Sequence, residues 1–260
     1  MAQATPFHWQ SASCSHVGRV RRINEDSLLD QPDRGLWAVA DGMGGHTLGD
    51  VASRMVVDAL GRLRDLRPDD IRACLAEVNR RLMTEAAMRD VQIIGSTAVV
   101  LLANGKHCNC IWAGDSRLYR YRDGVLQQLT RDHSHVEELL ARGLLTPAEA
   151  IRHPGHNLIT RAIGVADLLE LEEDDSEVHA GDMFVLCSDG LSNEVDAQQI
   201  ATLLAPHDCK LAAQRLVEEA LNHGGRDNVT VVVVMADDPR HDEKTAINPA
   251  LEQASDDLGA

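Results

Sequence analysis

The chain has 260 residues, of which 44% are hydrophobic and 25% are charged, and its formal net charge is -16. A chain of this length and apolar content can bury a sizeable core, and it most simply forms one large domain. The acidic balance argues against nucleic acid as a partner, because binding a phosphate backbone requires a basic surface.

The cysteines and the apolar runs bear on the compartment. The six cysteines lack the paired spacing of a disulfide framework, so we expect a reducing cytoplasm. Cys108 and Cys110 would share one face of a strand, where we expect them to pack and not to bind zinc. No apolar run approaches the ~20 residues of a membrane span, and residues 1–10 do not resemble a signal peptide. We therefore expect no membrane association.

The first third of the chain predicts a buried strand followed by two helices. Residues 36–40 form a short apolar run, typical of a strand buried on both faces, and Asp41 follows directly. Apolar stripes at helical spacing then predict helices over residues 48–63 and 71–86. Pro68, followed by two aspartates, is a start signal for the second helix.

Four strands are predicted next, over residues 96–103, 107–113, 116–121 and 125–129. Asn104-Gly105 and Asp123-Gly124 separate pairs of these runs. Such short connections favour antiparallel hairpins, because tight hairpin turns require the positive φ that glycine and asparagine adopt easily. A doubly wound parallel sheet is therefore not expected.

The remainder of the chain predicts further helices and strands around an irregular segment. Helices are predicted at residues 136–142, after Pro147, and at 197–204 and 210–222, and strands at 170–178, 183–187 and 229–234. Alternating blocks of this kind predict an α+β fold in which two packed antiparallel β-sheets are flanked by helix pairs. Residues 1–236 would form the domain. Residues 237–260 are acidic and lack periodicity, which predicts a disordered tail.

Five acidic turns are spread along the chain, most of them beside short apolar runs. They are Arg21-x-x-Asn24-Glu25-Asp26, Asp41-Gly42-Met43-Gly44-Gly45-His46, Gly114-Asp115-Ser116-Arg117, Ser188-Asp189-Gly190 and Arg226-Asp227-Asn228. Carboxylates gathered at strand ends repel one another unless divalent cations lie between them. The turns therefore predict a two-metal site acting on a phosphate ester.

In order, spacing and neighbouring residues, these turns resemble those of bacterial metal-dependent Ser/Thr protein phosphatases of the 2C type. The resemblance extends from Ser13 to about Met235 and includes Gly95-Ser96-Thr97. It implies an αββα sandwich with residues 133–156 as a variable flap insert. It also implies hydrolysis of phosphoserine and phosphothreonine in proteins by a hydroxide that bridges two metals, opposing a bacterial Ser/Thr kinase.

The same resemblance assigns metal ligands. Asp41 would bridge the two ions, the carbonyl of Gly42 would bind one of them, and Asp189 and Asp227 would complete the other. Asp115, together with Asp189, would form a third and weaker metal position. Oxygen ligands suit Mn²⁺ or Mg²⁺, whereas zinc prefers nitrogen and sulfur.

Further residues would surround these ligands. Glu25, Asp26 and Asn228 would orient the ligands and their waters from outside. Arg21 matches the family's phosphate-binding arginine, and a guanidinium can bind two phosphate oxygens at once. Spacing along an alternating strand favours Arg21 over Arg22 and leaves Arg19 open.

The acid that protonates the leaving alkoxide has two candidates. Relatives from eukaryotes carry a histidine two positions after the bridging aspartate, where this chain has Met43. His46 lies three residues further on, and histidine as a residue type is suited to proton transfer near neutral pH. The alternative is a water at the metals. The histidines of the flap, His133, His135, His153 and His156, match no common zinc spacing and are expected to be exposed to solvent.

Two alternatives to this function stay open on the sequence. One is a phospho-sensing regulatory module of the same fold with weak catalysis, and the other is a phosphatase of an anti-sigma-factor antagonist. More narrowly, residues 9–49 are similar to the phosphatases associated with type VI secretion. That similarity implies a threonine kinase and a phosphorylated forkhead-associated scaffold as partners.

Overall fold

The structure, a computed structural model, describes residues 7–44, 48–150, 153–155 and 158–238. Within these ranges the strands are β1 (His8–His16), β2 (Asp26–Gln31), β3 (Leu36–Gly44), β4 (Ile94–Ser96), β5 (Ala98–Asn104), β6 (His107–Ala113), β7 (Arg117–Arg122), β8 (Val125–Gln128), β9 (Glu172–Glu177), β10 (Met183–Cys187) and β11 (Val229–Asp237). The helices are α1 (Gly49–Gly61), α2 (Pro68–Met88), α3 (His135–Ala141), α4 (Pro147–Ala150), α5 (Asp189–Ser192), α6 (Ala197–Leu204) and α7 (Cys209–Asn222).

The strands form two antiparallel sheets. The first sheet has the order β1-β11-β10-β7-β8, and the second has the order β2-β3-β5-β6-β9, with β4 paired to the end of β3. Helices α1 and α2 cover the second sheet, and α6 and α7 cover the first. The predicted α+β fold, two packed antiparallel sheets flanked by helix pairs, is confirmed.

Side chains on the central strands alternate between two cores, as the period of a strand requires. On β3, Leu36 and Ala38 pack under the helices, whereas Trp37 contacts the other sheet. On β10, Val185 faces the helices and Phe184 faces the second sheet. Both faces of these strands are therefore buried, which explains why their sequences are continuous apolar runs.

The core between the sheets contains most of the chain's few large aromatic side chains. The ring centroids of Trp9 and Trp37 lie 5.3 Å apart, and Phe184 lies 6.3 Å from Trp9. Cys108 and Cys110 are buried in this same core, so the prediction that they pack is confirmed. All six cysteines are free thiols.

Both predicted hairpins are present, at the β5–β6 and β7–β8 connections. Asp123 and Gly124 have φ values of 51° and 81°, as a tight hairpin turn requires. The connection from β6 to β7 is different, because it crosses from the second sheet to the first. It passes through Gly114, whose φ is +113° and whose missing side chain leaves room for Thr97.

The last strand reaches the first residue of the predicted tail. Strand β11 includes Asp237, the residue at which the predicted tail begins, and the rest of that tail from residue 239 lies outside the described residues. No helix in the described part of the chain is long and apolar enough to cross a membrane.

Candidate active site

The acidic turns meet at one end of the two sheets. Asp26 and Asp41 are direct partners across the β2–β3 ladder. In the first sheet Arg117, Cys187 and Val231 are in register. The aspartates just outside these three strands therefore lie at the same edge, namely Asp115 before β7, Asp189 after β10 and Asp227 before β11. Strand pairing thereby brings sequence-distant carboxylates together within each sheet, and the packing of the two sheets brings both groups to the same end.

The carboxyl groups affect one another electrostatically. Burial raises the pKa of Asp41 well above its ordinary value, and Asp26, Asp189, Asp115 and Asp227 raise it further. Burial, reinforced by Asp189, also raises the pKa of Asp26 and of Asp115 to about 7. The pKa of Asp189 rises to about 6, because of burial and then Asp227. Like charges withdrawn from water in this way are costly, and cations would relieve the cost.

Several carboxylate oxygens have nothing to bind. One oxygen each of Asp26, Asp50, Asp115 and Asp189 is shielded from solvent and lacks a hydrogen-bond partner within the described residues. Buried polar atoms of proteins are nearly always hydrogen-bonded or ligate an ion. Hard oxygen donors of this kind suit Mg²⁺ or Mn²⁺, so the residues present fit the predicted metals. Asp50, the second residue of α1, was not predicted from the sequence.

The predicted ligand side chains do not converge on one point among the described residues. Among the described residues, no group of three or more His, Cys, Asp or Glu side chains has the spacing of a metal site. Asp227 instead accepts a hydrogen bond from Nη2 of Arg21 at 2.7 Å. The guanidinium therefore supplies the positive charge next to this carboxylate.

The arginines lie in the loop between β1 and β2 and not in the alternating strand assumed from the sequence, so their contacts distinguish them instead. Arg21 lies beside Asp227, and its side chain is half exposed. Arg19 is turned toward the end of α7, where its Nε donates to the carbonyl of Leu221 at 2.7 Å. Only Arg21 of these two therefore extends to the carboxylates.

Gly42 occupies a place where no side chain fits. A Cβ on Gly42 would lie 1.9 Å from the carbonyl oxygen of Gly49, and one on Gly49 would lie 2.5 Å from Oε1 of Glu25. The N–H of Gly42 donates to the carbonyl of Glu25 at 3.1 Å. The start of α1 thus packs directly against the predicted ligand carbonyl, with the Glu25 carboxylate at the helix N-terminus.

Asp26 and Asn228 hold neighbouring segments in place. Oδ2 of Asp26 accepts a hydrogen bond from the Ser188 hydroxyl at 2.7 Å, which ties β2 to the turn that precedes Asp189. The buried amide of Asn228 accepts from the N–H of Glu25 and donates to the carbonyl groups of Val17 and Ile23. This amide fixes the loop that carries Arg21.

Sequence reasoning gave no role to the residues that fix Asp41. The Thr97 hydroxyl accepts from the N–H of Asp41 at 2.9 Å and exchanges a hydrogen bond with Ser116 at 2.7 Å. The N–H of Thr97 donates to the carbonyl of Asp41 at 2.8 Å. Gly95-Ser96-Thr97 belongs to the resemblance, but its function as a backbone anchor follows only from the fold.

One prediction about the flap histidines is wrong. His133 is buried, with 5% of its surface exposed, and its ring stacks on Trp112. Its Nδ1 accepts from the N–H of Gly114 at 3.1 Å, so a neutral ring is required, and burial lowers its pKa. Its Nε2 lies 3.3 Å from Glu172, although not in hydrogen-bond geometry. His46 and His156 lie outside the described residues.

The turn that carries Asp115 is tied to the start of the flap. His133 makes one such contact, and Arg117 makes another. Nε and Nη2 of Arg117 donate hydrogen bonds to the Asp132 carboxylate, the shortest at 2.6 Å. A cavity of about 640 Å³ opens beside this ion pair, lined by Asp115, Asp189, Asp227 and the α3 residues Val136 and Leu140. The carboxylates thus form one wall of a space large enough for a peptide side chain.

Comparison with known proteins identifies the family. A model of the family described as protein phosphatase 2C matches residues 15–224. The chain belongs to this family. The resemblance to protein phosphatases of the 2C type is therefore confirmed.

Individual relatives agree with the family match. The serine/threonine protein phosphatase PstP of Mycobacterium tuberculosis is 40% identical over 228 residues, which cover 85% of this chain and 44% of PstP. The matched chain thus spans less than half of that relative's length. A structure of PppA, described as a key regulatory component of T6SS in Pseudomonas aeruginosa, is 46% identical with a TM-score of 0.83, covering 88% of this chain and 98% of that one.

A further solved structure, of a PstP catalytic domain, holds metal. The catalytic domain of PstP in complex with two manganese ions has 38% identity and a TM-score of 0.81, and the match covers 88% of this chain and 99% of that one. Manganese is therefore an ion bound by a structural neighbour.

Proposed function

We propose that the chain hydrolyses phosphoserine and phosphothreonine in proteins, with two Mn²⁺ or Mg²⁺ ions held by Asp41, the carbonyl of Gly42, Asp189 and Asp227. The observation that carries this proposal is the set of buried carboxyl groups at one end of the sandwich. These groups disfavour one another's charged forms, and several of them have oxygens without a hydrogen-bond partner within the described residues. Asp115 and Asp189 would hold a third ion. The two-manganese complex of PstP supports the metal choice.

When bound, paired divalent cations lower the pKa of water and offset negative charge on phosphoryl oxygens. The chain's own residues position the reactants. Arg21, half exposed beside Asp227, would bind the phosphate oxygens, because a guanidinium donates two parallel hydrogen bonds to a phosphate. The proton for the leaving alkoxide would come from His46 or from a water of the site. Glu25, Asp26 and Asn228 would keep the ligands oriented.

The activity can be tested on a phosphothreonine peptide. We expect the purified protein to release phosphate when Mn²⁺ is added, and not in EDTA. Arg21→Ala should lower kcat/KM about 10- to 100-fold, since a lost hydrogen bond to a charged group costs about 1.5–3 kcal/mol. Arg62→Ala is the matched control, because Arg62 is 77% exposed and pairs only loosely with Asp58.

The control should leave kcat/KM unchanged within twofold. A wild-type protein that binds the phosphopeptide without releasing phosphate would overturn the enzymatic proposal and favour the phospho-sensing module. Equal losses in Arg21→Ala and Arg62→Ala would overturn the role of Arg21 alone.

We further propose that the chain acts in the bacterial cytoplasm in control of type VI secretion, opposing a threonine kinase on a forkhead-associated scaffold. Support comes from the similarity to PppA over nearly the whole of that protein, together with the free thiols of this chain. Both observations are compatible with an intracellular phosphoprotein substrate.

Deletion of the gene tests this assignment. We expect phosphothreonine on the scaffold to rise several-fold, as measured by phosphoproteomics, and to fall again when the wild-type chain is restored. Restoration with Asp41→Asn should not lower it. A scaffold whose phosphorylation is the same in the deletion strain and its parent would exclude this pathway while leaving the phosphatase activity intact.

A further inference from the structure

The loop that carries Asp227 leaves α7 through two successive glycines. Gly224 and Gly225 have φ values of +140° and +53°, which side chains rarely adopt. Glycine has the widest backbone freedom of any residue, so this exit does not by itself fix the direction of the chain that follows. Backbone hydrogen bonds hold the glycines themselves, among them one from the N–H of Arg19 to the carbonyl of Gly225 at 2.7 Å, and contacts made after the glycines complete the placement of Asp227.

The first such contact is an ion pair with the segment that follows α5. Glu194 has only 3% of its side chain exposed, whereas the Arg226 side chain is 72% exposed. Oε1 of Glu194 accepts from the backbone N–H of Arg226 at 3.2 Å and from its Nε at 2.8 Å, and Oε2 accepts from Nη2 at 2.9 Å. Both side chain and backbone of Arg226 are thus held by one carboxylate.

This ion pair joins the two segments that carry predicted metal ligands. Helix α5 begins with Asp189, and Arg226 immediately precedes Asp227. The two segments also touch through backbone, because a Cβ on Gly190 would lie 2.0 Å from the carbonyl oxygen of Asn228. A shift of Arg226 would therefore change the separation of the Asp189 and Asp227 carboxylates.

We infer that Glu194 is a positioning residue, which holds Asp227 beside Asp189 for a divalent cation by fixing Arg226. The inference rests on the proposed function, because it assumes that these aspartates bind metal. Residues around a ligand commonly change metal affinity 10- to 100-fold when they are removed. The bidentate geometry makes this contact directional as well as attractive.

The chain contains a matched control at the opposite end of β10. Asp182 has 1% of its side chain exposed and binds Arg122 through Nε and Nη2, each at 2.6 Å. It also accepts from the backbone N–H of His179 at 2.8 Å. Like Glu194, Asp182 binds one arginine through two guanidinium nitrogens and also one backbone N–H, here that of a different residue, but no predicted metal ligand lies next to these residues in the chain.

The test measures Mn²⁺ affinity directly, from the loss of the free-ion EPR signal on titration of the full chain. We expect Glu194→Ala to weaken Mn²⁺ binding about tenfold or more. Glu194→Gln keeps one oxygen acceptor for Arg226 and should recover part of the affinity. Asp182→Ala should bind Mn²⁺ as the wild type does, even though its melting temperature falls.

The outcomes distinguish failure of the proposed function from failure of the inference about Glu194. Wild-type protein that binds no Mn²⁺ would overturn the proposed function and this inference together. Wild-type binding with unchanged affinity in Glu194→Ala overturns the inference alone, as does an equal loss in Asp182→Ala, which would indicate a general effect of destabilisation. If Glu194→Ala does not fold, the test uses Glu194→Gln and Glu194→Asp. Wild-type Mn²⁺ affinity in both of these variants would overturn the inference.

Discussion

Asp41→Asn is expected to lower Mn²⁺-dependent phosphate release by more than about 100-fold without destabilising the metal-free protein. Loss of a residue that merely orients a ligand costs about 10- to 100-fold, so loss of Asp41, which we propose binds both ions directly, should cost more. Stability should respond in the opposite sense. Burial and four neighbouring carboxyl groups disfavour the charged form of Asp41, and asparagine removes that charge with little change of shape.

The measurement pairs kcat on a phosphothreonine peptide with the melting temperature in EDTA at pH 7.5. Asp33→Asn serves as the control. Asp33 is an exposed residue of the turn before β3, and its substitution removes the same charge from the chain. It should change neither quantity appreciably. A metal-free Asp41→Asn protein that melts well below the wild type would contradict the electrostatic account of the site.

Mn²⁺ is expected to raise the melting temperature more at pH 7.5 than at pH 5.0. The pKa values of Asp26 and Asp115 are raised to about 7, and that of Asp189 to about 6, chiefly by burial. A raised carboxyl pKa gives a stabilising contribution that is complete below the unfolded value, about 3.9, and is lost as pH rises through the folded value. Metal-free protein therefore loses stability between about pH 4 and pH 7.

A cation that binds the ionised carboxylates offsets this loss, and protons compete with it at low pH. One pKa unit corresponds to about 1.4 kcal/mol, and 1 kcal/mol shifts the melting temperature of a domain this size by about 2–4 °C. We therefore expect the Mn²⁺-induced shift to be larger at pH 7.5 by roughly 5 °C or more.

The comparison uses thermal unfolding with EDTA or saturating Mn²⁺ at the two pH values. In a double variant, Asp26→Asn with Asp189→Asn, the Mn²⁺-induced shift in melting temperature should differ much less between the two pH values. The general surface charge of the protein is unchanged in this variant. An Mn²⁺-induced shift that is equal at both pH values in the wild type would refute this linkage between the carboxylates and the ions.

The sequence determined the elements and the chemical class of the site. Apolar runs such as residues 36–40 and 183–187, the helical stripes and the turn at Asp123-Gly124 are local patterns, and local sterics and burial act on them directly. The acidic turns predicted both a metal-dependent phosphatase and the residues that the fold brings to one edge. The family assignment is confirmed by the match over residues 15–224.

Tertiary structure alone decided which side chains touch. Three features depend on how segments distant in the chain pack together: the turn at Gly114 crosses between sheets, His133 is buried against Trp112, and Arg19 turns away while Arg21 contacts Asp227. The same holds for the contacts of Thr97 and Glu194 with segments distant in sequence. Such contacts join residues separated by about 20 to 200 positions, and no local propensity or spacing specifies which distant segments will meet.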